Sequence, residues 1–398
     1  MTRMMPNNLI CLLQNSEAYF SAIEGALDRA MHDIYLETYI FENDNTGRRI
    51  AEALRRAALR GVKTHLLIDG YGSIRLPKSI VDVLEAAGVW VMKFRPKTSP
   101  WTLRRQRLRR LHRKIVVVDR TIAFVGGINI NDGMDRHGQP SMRLDYAVSV
   151  QGPLVKTIHD SARQVWLRVT WMRRLHRRGR NNDSYTPSAE PTGLMRAAFL
   201  VRNNIRHRRD IEAAYLLAIE QAQNEVILAN AYFLPGLNFR HALVDAAGRG
   251  VRVVLLLQGK RDHPLFHYAT HALYGSFLAA GIEIYEYHQS LLHVKVAVID
   301  GHWATVGSSN LDPFSLLLAI EANVVVDDDG FAKELRFSLE QAMETGAQRI
   351  DENSWRTQSI GQRLASWLSY GAVRFMIGIA GYAPGKLPGR GVSTDHSA

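Results

Sequence analysis

Short apolar runs separated by amphipathic stretches open the chain, and the same pattern returns in its second half. Ile34–Phe41 (IYLETYIF) and Val226–Leu234 (VILANAYFL) are apolar and rich in β-formers. Each follows an amphipathic segment, Ala18–Ala30 in one case and Ile211–Ala222 in the other. Next come Arg60-Gly61-Val62-Lys63 with Leu66-Leu67-Ile68, matched by Arg249-Gly250-Val251-Arg252 with Leu255-Leu256-Leu257. Ala86-Ala87-Gly88-Val89 is matched in turn by Ala279-Ala280-Gly281-Ile282. Each half therefore reads helix, strand, helix, Arg-Gly turn, strand, helix, Gly turn, strand, with a glycine stopping the preceding helix. Short apolar strands alternating with helices predict α/β units whose strands are buried on both faces. Two such units facing one another predict a pseudo-symmetric pair with a cleft between.

The joint between the halves is Trp171–Gly193, loaded with Arg, Asn, Ser and Pro, which reads as a surface connection. The expected division is a first domain over 1–170, a basic linker over 171–194, a second domain over 195–350 and a tail over 351–398. An insertion at Pro96–Arg110 (PKTSPWTLRRQRLRR) has no counterpart in the second half. It reads either as a basic, aromatic-tipped loop near the cleft mouth or as an ordinary solvated loop.

Composition narrows the function less than the pattern does. With 46 % hydrophobic and 22 % charged residues over 398 positions, the chain is globular rather than disordered. The formal charge is +12, and 40 of the 50 basic residues are Arg, whose planar fork matches phosphate oxygens. Nucleic acid and anionic lipid both suit that excess, and so does a merely soluble basic surface. Cys11 is the one cysteine, so no disulfide can form within the chain, which is compatible with a reducing cytoplasm. Met1–Gln14 lacks a long apolar core and a cleavage site, so no export signal is expected. No run of 18 uncharged apolar residues occurs, so a spanning helix is not expected either.

The chemistry sits in a repeated motif. The first copy is His112-Arg113-Lys114-Ile115-Val116-Val117-Val118-Asp119, followed by Gly126-Gly127-Ile128-Asn129. The second is His293-Val294-Lys295-Val296-Ala297-Val298-Ile299-Asp300, followed by Gly307-Ser308-Ser309-Asn310. All internal spacings agree. On a strand, His and Lys two residues apart share a face. The apolar residues after Lys make a buried strand with the Asp at its far end. A buried Lys beside an imidazole is costly unless it meets an anion, and a phosphate supplies one. A single copy of so short a motif carries little weight. Two copies with the same Gly and Asn extension, at equivalent places in two repeats, are not accidental. The 15 histidines show no His/Asp/Glu cluster with ligand spacing, so neither a metal nor another cofactor is expected. The Arg-rich run Arg202–Arg209, with His207 inside it, reads as a solvated or anion-facing loop.

These residues resemble the signature of the phospholipase D superfamily, over most of the chain from about Asn15 to Asp327. The finer resemblance is to bacterial cardiolipin synthases of the kind lacking N-terminal membrane spans. Leu67–Ser73, Leu111–Gly127, Ala229–Gly236, Ala304–Ser315 and Glu321-Ala322-Asn323-Val324 carry it. The resemblance implies two α/β domains with the active site at their interface. It also implies phosphatidyl transfer from one phosphatidylglycerol to another, with glycerol leaving. The expected catalytic set is His112, Lys114, Asp119, His293, Lys295 and Asp300. Within it, the family pattern makes His112 the nucleophile and His293 the acid and base, although pseudo-symmetry allows the roles to be swapped. Lys114, Lys295, Asn129 and Asn310 would hold the phosphoryl oxygens. The family also places a carboxylate behind each His, by position Asp145 and Glu321, for which the plain alternative is a surface charge. Asp119 and Asp300 are expected to orient strand ends rather than touch substrate.

A lipid substrate requires membrane contact. The segment Trp355–Tyr382 places Ile360, Leu364, Trp367, Leu368, Phe375, Met376 and Ile379 at helical spacing, interrupted by Arg356, Arg363 and Arg374. Trp, Phe and Arg on one amphipathic helix suit the interfacial plane, the alternative being a helix packed on the protein's own core. The expected partners are phosphatidylglycerol and other phospholipids at a membrane surface, bound peripherally on the cytoplasmic face, with no nucleic acid. The motifs do not separate transfer from hydrolysis or from phosphatidylserine synthesis, since only the acceptor differs. A nuclease, or on charge alone a nucleic-acid-binding module, remains as a further alternative. The oligomeric state is not read.

Overall fold

The computed structural model describes residues 3–96, 109–133, 143–172, 190–203, 207–261, 263–312, 319–352, 355 and 360–379. The basic insertion lies outside these residues except at its ends, and the linker does so from 173 to 189.

The first half runs β1 (Met5–Gln14), α1 (Asn15–Arg29), β2 (Asp33–Thr38), α2 (Asn45–Leu59), β3 (Lys63–Asp69), α3 (Lys78–Ala86), β4 (Trp90–Phe94), β5 (Arg110–Leu111), β6 (Lys114–Val118), β7 (Ile122–Gly126), β8 (Arg143–Leu144), β9 (Tyr146–Gln151) and α4 (Leu154–Met172). Trp171 and Met172 thus finish a helix, where the sequence had suggested the start of the linker. The second half runs β10 (Met195–Arg202), α5 (Asp210–Gln221), β11 (Glu225–Asn230), α6 (Leu237–Gly248), β12 (Arg252–Gln258), α7 (Pro264–Ala279), β13 (Glu283–Tyr287), β14 (Leu291–Leu292), β15 (Lys295–Ile299), β16 (Trp303–Gly307), β17 (Ala319–Asp327), α8 (Asp329–Gly346) and β18 (Ala347–Arg349). Helix α9 (Ile360–Ile379) follows.

The repeat is visible in the sheet. From one edge the strands lie in the order β18-β13-β12-β11-β15-β16-β17-β10-β1-β9-β7-β6-β2-β3-β4. Read outward from the β10–β1 seam, the two sides mirror one another. The strands β2-β3-β4 and β11-β12-β13 run parallel, as crossover helices require, while β18 at the second-half edge and the strands toward the seam are antiparallel. Strands β2 and β6 are buried along their whole length, although β2 carries Asp33 and Glu37 and β6 opens on Lys114. Gly61 and Gly250 sit at φ 89° and 88°, so each ends its helix in the left-handed conformation that glycine tolerates best.

Three cores hold the layers. Helices α1 to α3 cover one face of the first half through Tyr19, Phe20, Ile50 and Leu54. Helices α5 to α7 do the same for the second half through Tyr215, Phe239 and Phe277. The opposite faces share one core, in which Trp166 of α4 and Leu335 and Leu339 of α8 pack with strands of both halves. The Tyr146 hydroxyl of β9 meets Ser338 Oγ of α8 at 2.7 Å, a buried bond across the halves. Each fully buried Leu or Ile contributes about 1.5–3 kcal/mol, so the shared core locks the halves together as well as stabilising each.

The two motif acids build the frame rather than the site. Asp119 and Asp300 both adopt φ 49° at the far ends of β6 and β15. Asp119 accepts the N–H groups of Met31, His32 and Asp33 at 2.8, 2.7 and 3.0 Å. Asp300 accepts those of Gln223, Asn224 and Glu225 at 2.8, 2.8 and 2.9 Å. Each carboxylate thereby ties the motif strand to the entry of its neighbour, β2 or β11. Burial alone would raise the Asp300 carboxyl, but these donors outweigh it and hold it below its ordinary value. Replacing Asp119 or Asp300 by Ala leaves three donors unmet and a poorly suited residue at positive φ. Thermal or urea unfolding should show a loss of about 1–3 kcal/mol for each, and a loss under about 0.5 kcal/mol would contradict the frame role.

Candidate active site

The site forms where β6 and β15 begin. Alternation sends Lys114 and Lys295 to the face occupied by His112 and His293, and Arg113 to the opposite one. Arg113, 1 % exposed, binds the Glu37 carboxylate of β2 and, at 2.8 Å, Ser161 Oγ of α4. That buried pair anchors the start of β6, and Val294 takes its place in the second half.

Each histidine is oriented by the other half of the molecule. His112 Nδ1 lies 3.0 Å from Glu321 Oε1, and His293 Nδ1 lies 2.6 Å from Asp145 Oδ2. Short exchanged strands produce the crossing. Strand β5, just before His112, pairs in parallel with β17, which carries Glu321. Strand β14, just before His293, pairs with β8, which precedes Asp145. Backbone bonds continue the exchange, from His112 N–H to Ile320 O at 3.0 Å and from His293 N–H to Leu144 O at 2.9 Å. A neutral imidazole that donates Nδ1–H to a carboxylate has its Nε2 lone pair free, the state a histidine nucleophile or base requires.

Charge explains why both rings are neutral. Burial lowers the His112 pKa, and Glu321 only partly offsets it. Burial and then Lys295 take His293 down to about 3 despite Asp145. Burial alone would raise both carboxyls, but His293 and Lys295 keep Asp145 ionised, and His112, Arg202 and Lys114 do the same for Glu321. Burial brings Lys114 to about 7, with Glu321 opposing the shift and Lys295 adding to it, and brings Lys295 to about 8, with Asp145 and Glu321 opposing it and Arg143 adding to it. Lys114 Nζ donates to His112 O at 2.6 Å, and Lys295 Nζ donates to His293 O. Two buried lysines side by side make a receptor for an anion.

The asparagines and Tyr39 complete the surroundings. Asn129 Oδ1 accepts the Ile40 N–H at 3.2 Å, which fixes its amide. Asn310 has a buried Oδ1 with no hydrogen-bond partner among the described residues. The Tyr39 ring lies 4.8 Å from that of His112 and 5.6 Å from Lys114 Nζ. Burial pushes its hydroxyl up to about 12, so it remains a neutral phenol.

The structure thus brings His112, Lys114, Asp145, His293, Lys295 and Glu321 together, with Asn129 beside His293 in one cavity. Asp119 and Asp300 stand apart, at the other ends of their strands. One expectation needs correction. Arg202, read as part of a solvated loop, is 1 % exposed at the end of β10, with a guanidinium nitrogen 3.7 Å from Glu321. Its register partner on β17 is Glu321 itself, so strand pairing delivers it there. His207 is exposed and pairs with Asp210, as a loop residue would. Sequence reading assigned Tyr39 no role; it lies just past β2, and nothing local singled it out.

Fold and site together define a two-half α/β enzyme with a composite site of histidines, lysines and carboxylates suited to an anionic phosphodiester. Comparison with known proteins makes this specific. A family model described as "Cardiolipin synthase, PLD-like domain" matches residues 23–166 and 215–343. Cardiolipin synthase B of Shigella flexneri is 40 % identical over 96 % of this chain and 91 % of its own length. Cardiolipin synthase A of Pseudomonas fluorescens is 33 % identical over 92 % of this chain and 75 % of its own. Among solved structures, phosphatidylserine synthase of Haemophilus influenzae superposes with a TM-score of 0.66 at 13 % identity, covering 94 % of this chain and 95 % of that one. The chain belongs to the cardiolipin synthase family of phospholipase D-like proteins.

The lysine pair yields a pH prediction. An anion between the ammonium groups raises both pKa values from about 7 and about 8, so binding near those pH values must take up protons. Tungstate, which has no proton of its own to exchange there, should bind with net proton uptake at about pH 8 and weaken as pH rises further. Calorimetry in buffers of unlike ionisation enthalpy reads the uptake. Its absence would mean that the lysines are already fully charged in the empty site.

Proposed function

We propose that the chain is a cardiolipin synthase, moving a phosphatidyl group from one phosphatidylglycerol to a second with release of glycerol. The observation that carries this reading is the crossed His–carboxylate pairs beside two buried lysines, within a family whose curated relatives bear that name. His112 Nε2 attacks phosphorus, the bond to the glycerol oxygen breaks, and His293 gives that oxygen its proton. A phosphohistidine remains. The terminal hydroxyl of a second phosphatidylglycerol then attacks phosphorus, His293 takes its proton, and the bond to His112 breaks. Lys114, Lys295, Asn129 and Asn310 hold the phosphoryl oxygens as charge builds. His293 is unprotonated in the empty site because burial and Lys295 hold it so. The incoming phosphodiester anion counters that lysine, and Asp145 at 2.6 Å then favours the imidazolium. The acid thus becomes charged as substrate arrives.

The substrate also explains helix α9. No described helix is long and apolar enough to cross a membrane. Ser366 and Val373 are buried and Tyr370 is half-buried, packing the helix onto the second-half core. Leu364, Trp367, Leu368 and Phe375 are 58–70 % exposed. They recur at the spacing of one helical stripe. This stripe meets the lipid surface, with the protein lying peripherally on the membrane's cytoplasmic side, where the unpaired Cys11 is at home.

Two measurements test these assignments. Labelled phosphatidylglycerol in mixed micelles should yield cardiolipin and free glycerol, and His112→Ala should lower the rate by about 10³-fold or more. Phosphatidic acid in place of cardiolipin would identify a hydrolase using the same residues. Separately, Leu364→Glu, Trp367→Glu and Leu368→Glu combined in the full chain should reduce flotation with phosphatidylglycerol vesicles by about tenfold or more, with little change in melting temperature. Undiminished flotation would remove α9 from the membrane contact.

A further inference from the structure

A cavity of about 280 Å³ opens beside His293. Its inner lining includes His293, Asp145 and Asn129, and exposed Ser16 and Glu17 lie at its outer part. His112 is not among the residues that line it. The volume corresponds to about nine waters at roughly 30 Å³ each, enough for a glycerophosphate headgroup.

Among the described residues one lysine or arginine lines this cavity, Arg143. It sits on β8, two residues before Asp145, and pairs in register with Leu291 of β14. Its charge is felt at Lys295, on which it acts repulsively. Its Nε is buried with no hydrogen-bond partner among the described residues, and no carboxylate among them forms an ion pair with it within 4.0 Å. The acid nearest in function is already committed: Asp132, also in the lining, accepts the N–H groups of Asn45 and Thr46 at 3.0 and 2.8 Å. The other half offers no equivalent cation. Gly126 pairs with Ala147 as Gly307 pairs with Asn323, which makes Asp145 equivalent to Glu321 and Arg143 equivalent to Ala319.

We infer that this cavity is the acceptor subsite and that Arg143 binds the phosphodiester of the acceptor lipid. The inference rests on the transfer reaction proposed above. In that reaction the lysine pair is occupied by the phosphoryl group in transit, so the second lipid's phosphate needs a cation of its own. Phosphatidylglycerol places that phosphate three carbons from the attacking hydroxyl. With the hydroxyl at His293 Nε2, the phosphate falls within the cavity, where Arg143 is the cation. The leaving glycerol departs through the same space before the acceptor enters. Arg143 is then a specificity-determining residue, favouring an anionic lipid alcohol over water or a neutral alcohol.

The experiment compares two reactions of the full-length protein in mixed micelles. One forms cardiolipin from phosphatidylglycerol. The other exchanges labelled free glycerol into phosphatidylglycerol, which uses the same phosphohistidine but an acceptor with no phosphate. Arg143→Gln should lower the ratio of cardiolipin formation to glycerol exchange by about tenfold or more, the worth of one charge-assisted hydrogen bond, with a raised KM for the acceptor lipid. Arg143→Lys should restore most of that ratio, and melting curves of both variants exclude a folding defect as the cause. A parallel fall of both rates, or an unchanged ratio, would overturn the inference while leaving the transferase reading intact. A wild-type protein that performs neither reaction would overturn the transferase reading and this inference with it.

Discussion

Each motif histidine is held by a carboxylate from the opposite half, and the rest of the site depends on that crossing. Glu321 of β17 orients His112, and Asp145, beside β9, orients His293. Neither half supplies both members of the His112–Glu321 or the His293–Asp145 pair. The short strands β5 and β14 reach across to β17 and β8 and bring each imidazole to its partner. The core shared by α4, α8 and strands of both halves keeps the two sides in register. A histidine held at Nδ1 has one tautomer and one free lone pair, which is the reactive state.

Buried charge then does chemical work at a cost the fold must offset. Lys114, Lys295, Asp145, Glu321, Arg113, Glu37 and Arg202 are all at most 5 % exposed. Ion pairs taken out of water are stabilising only when their remaining donors and acceptors are met. Arg113 satisfies this with Glu37 and Ser161. Each lysine meets only a main-chain carbonyl, His112 O or His293 O, as its hydrogen-bond partner among the described residues. A phosphodiester anion beside them would offset the cost of burying both ammonium groups.

The pseudo-twofold is broken at places that bear on reactivity. Gly127 lies against Asp145, where a Cβ would collide with the carboxylate, whereas its counterpart Ser308 donates its hydroxyl to Glu321. Asn15 bonds the main chain of Asp145, whereas Arg202 approaches the Glu321 carboxylate itself at 3.7 Å. Arg143 has Ala319 as its counterpart. A symmetric framework thereby presents two chemically different sides, as a reaction with unlike donor and acceptor roles requires.

Much of this was legible in the chain itself. The repeated α/β pattern and the paired motifs with their Gly and Asn extensions follow from local periodicity and spacing, which strands and helices impose directly, whereas Asp145 and Glu321 came from the family resemblance. Which carboxylate serves which histidine was not legible, because Asp145 and Glu321 follow their motifs in the same way and only strand exchange across the interface distinguishes the pairing. Arg202 reads like the other arginines of its run until β10 pairs with β17 and carries it beneath the site. In the tail, the sequence set out apolar residues at helical spacing. Packing on α7 decided that Ser366 and Val373 go inward while Leu364, Trp367 and Phe375 stay in contact with solvent. Periodicity is a property of neighbours along the chain. Pairing, burial and the electrostatic field are set by residues far apart in sequence, so only the folded molecule could decide them.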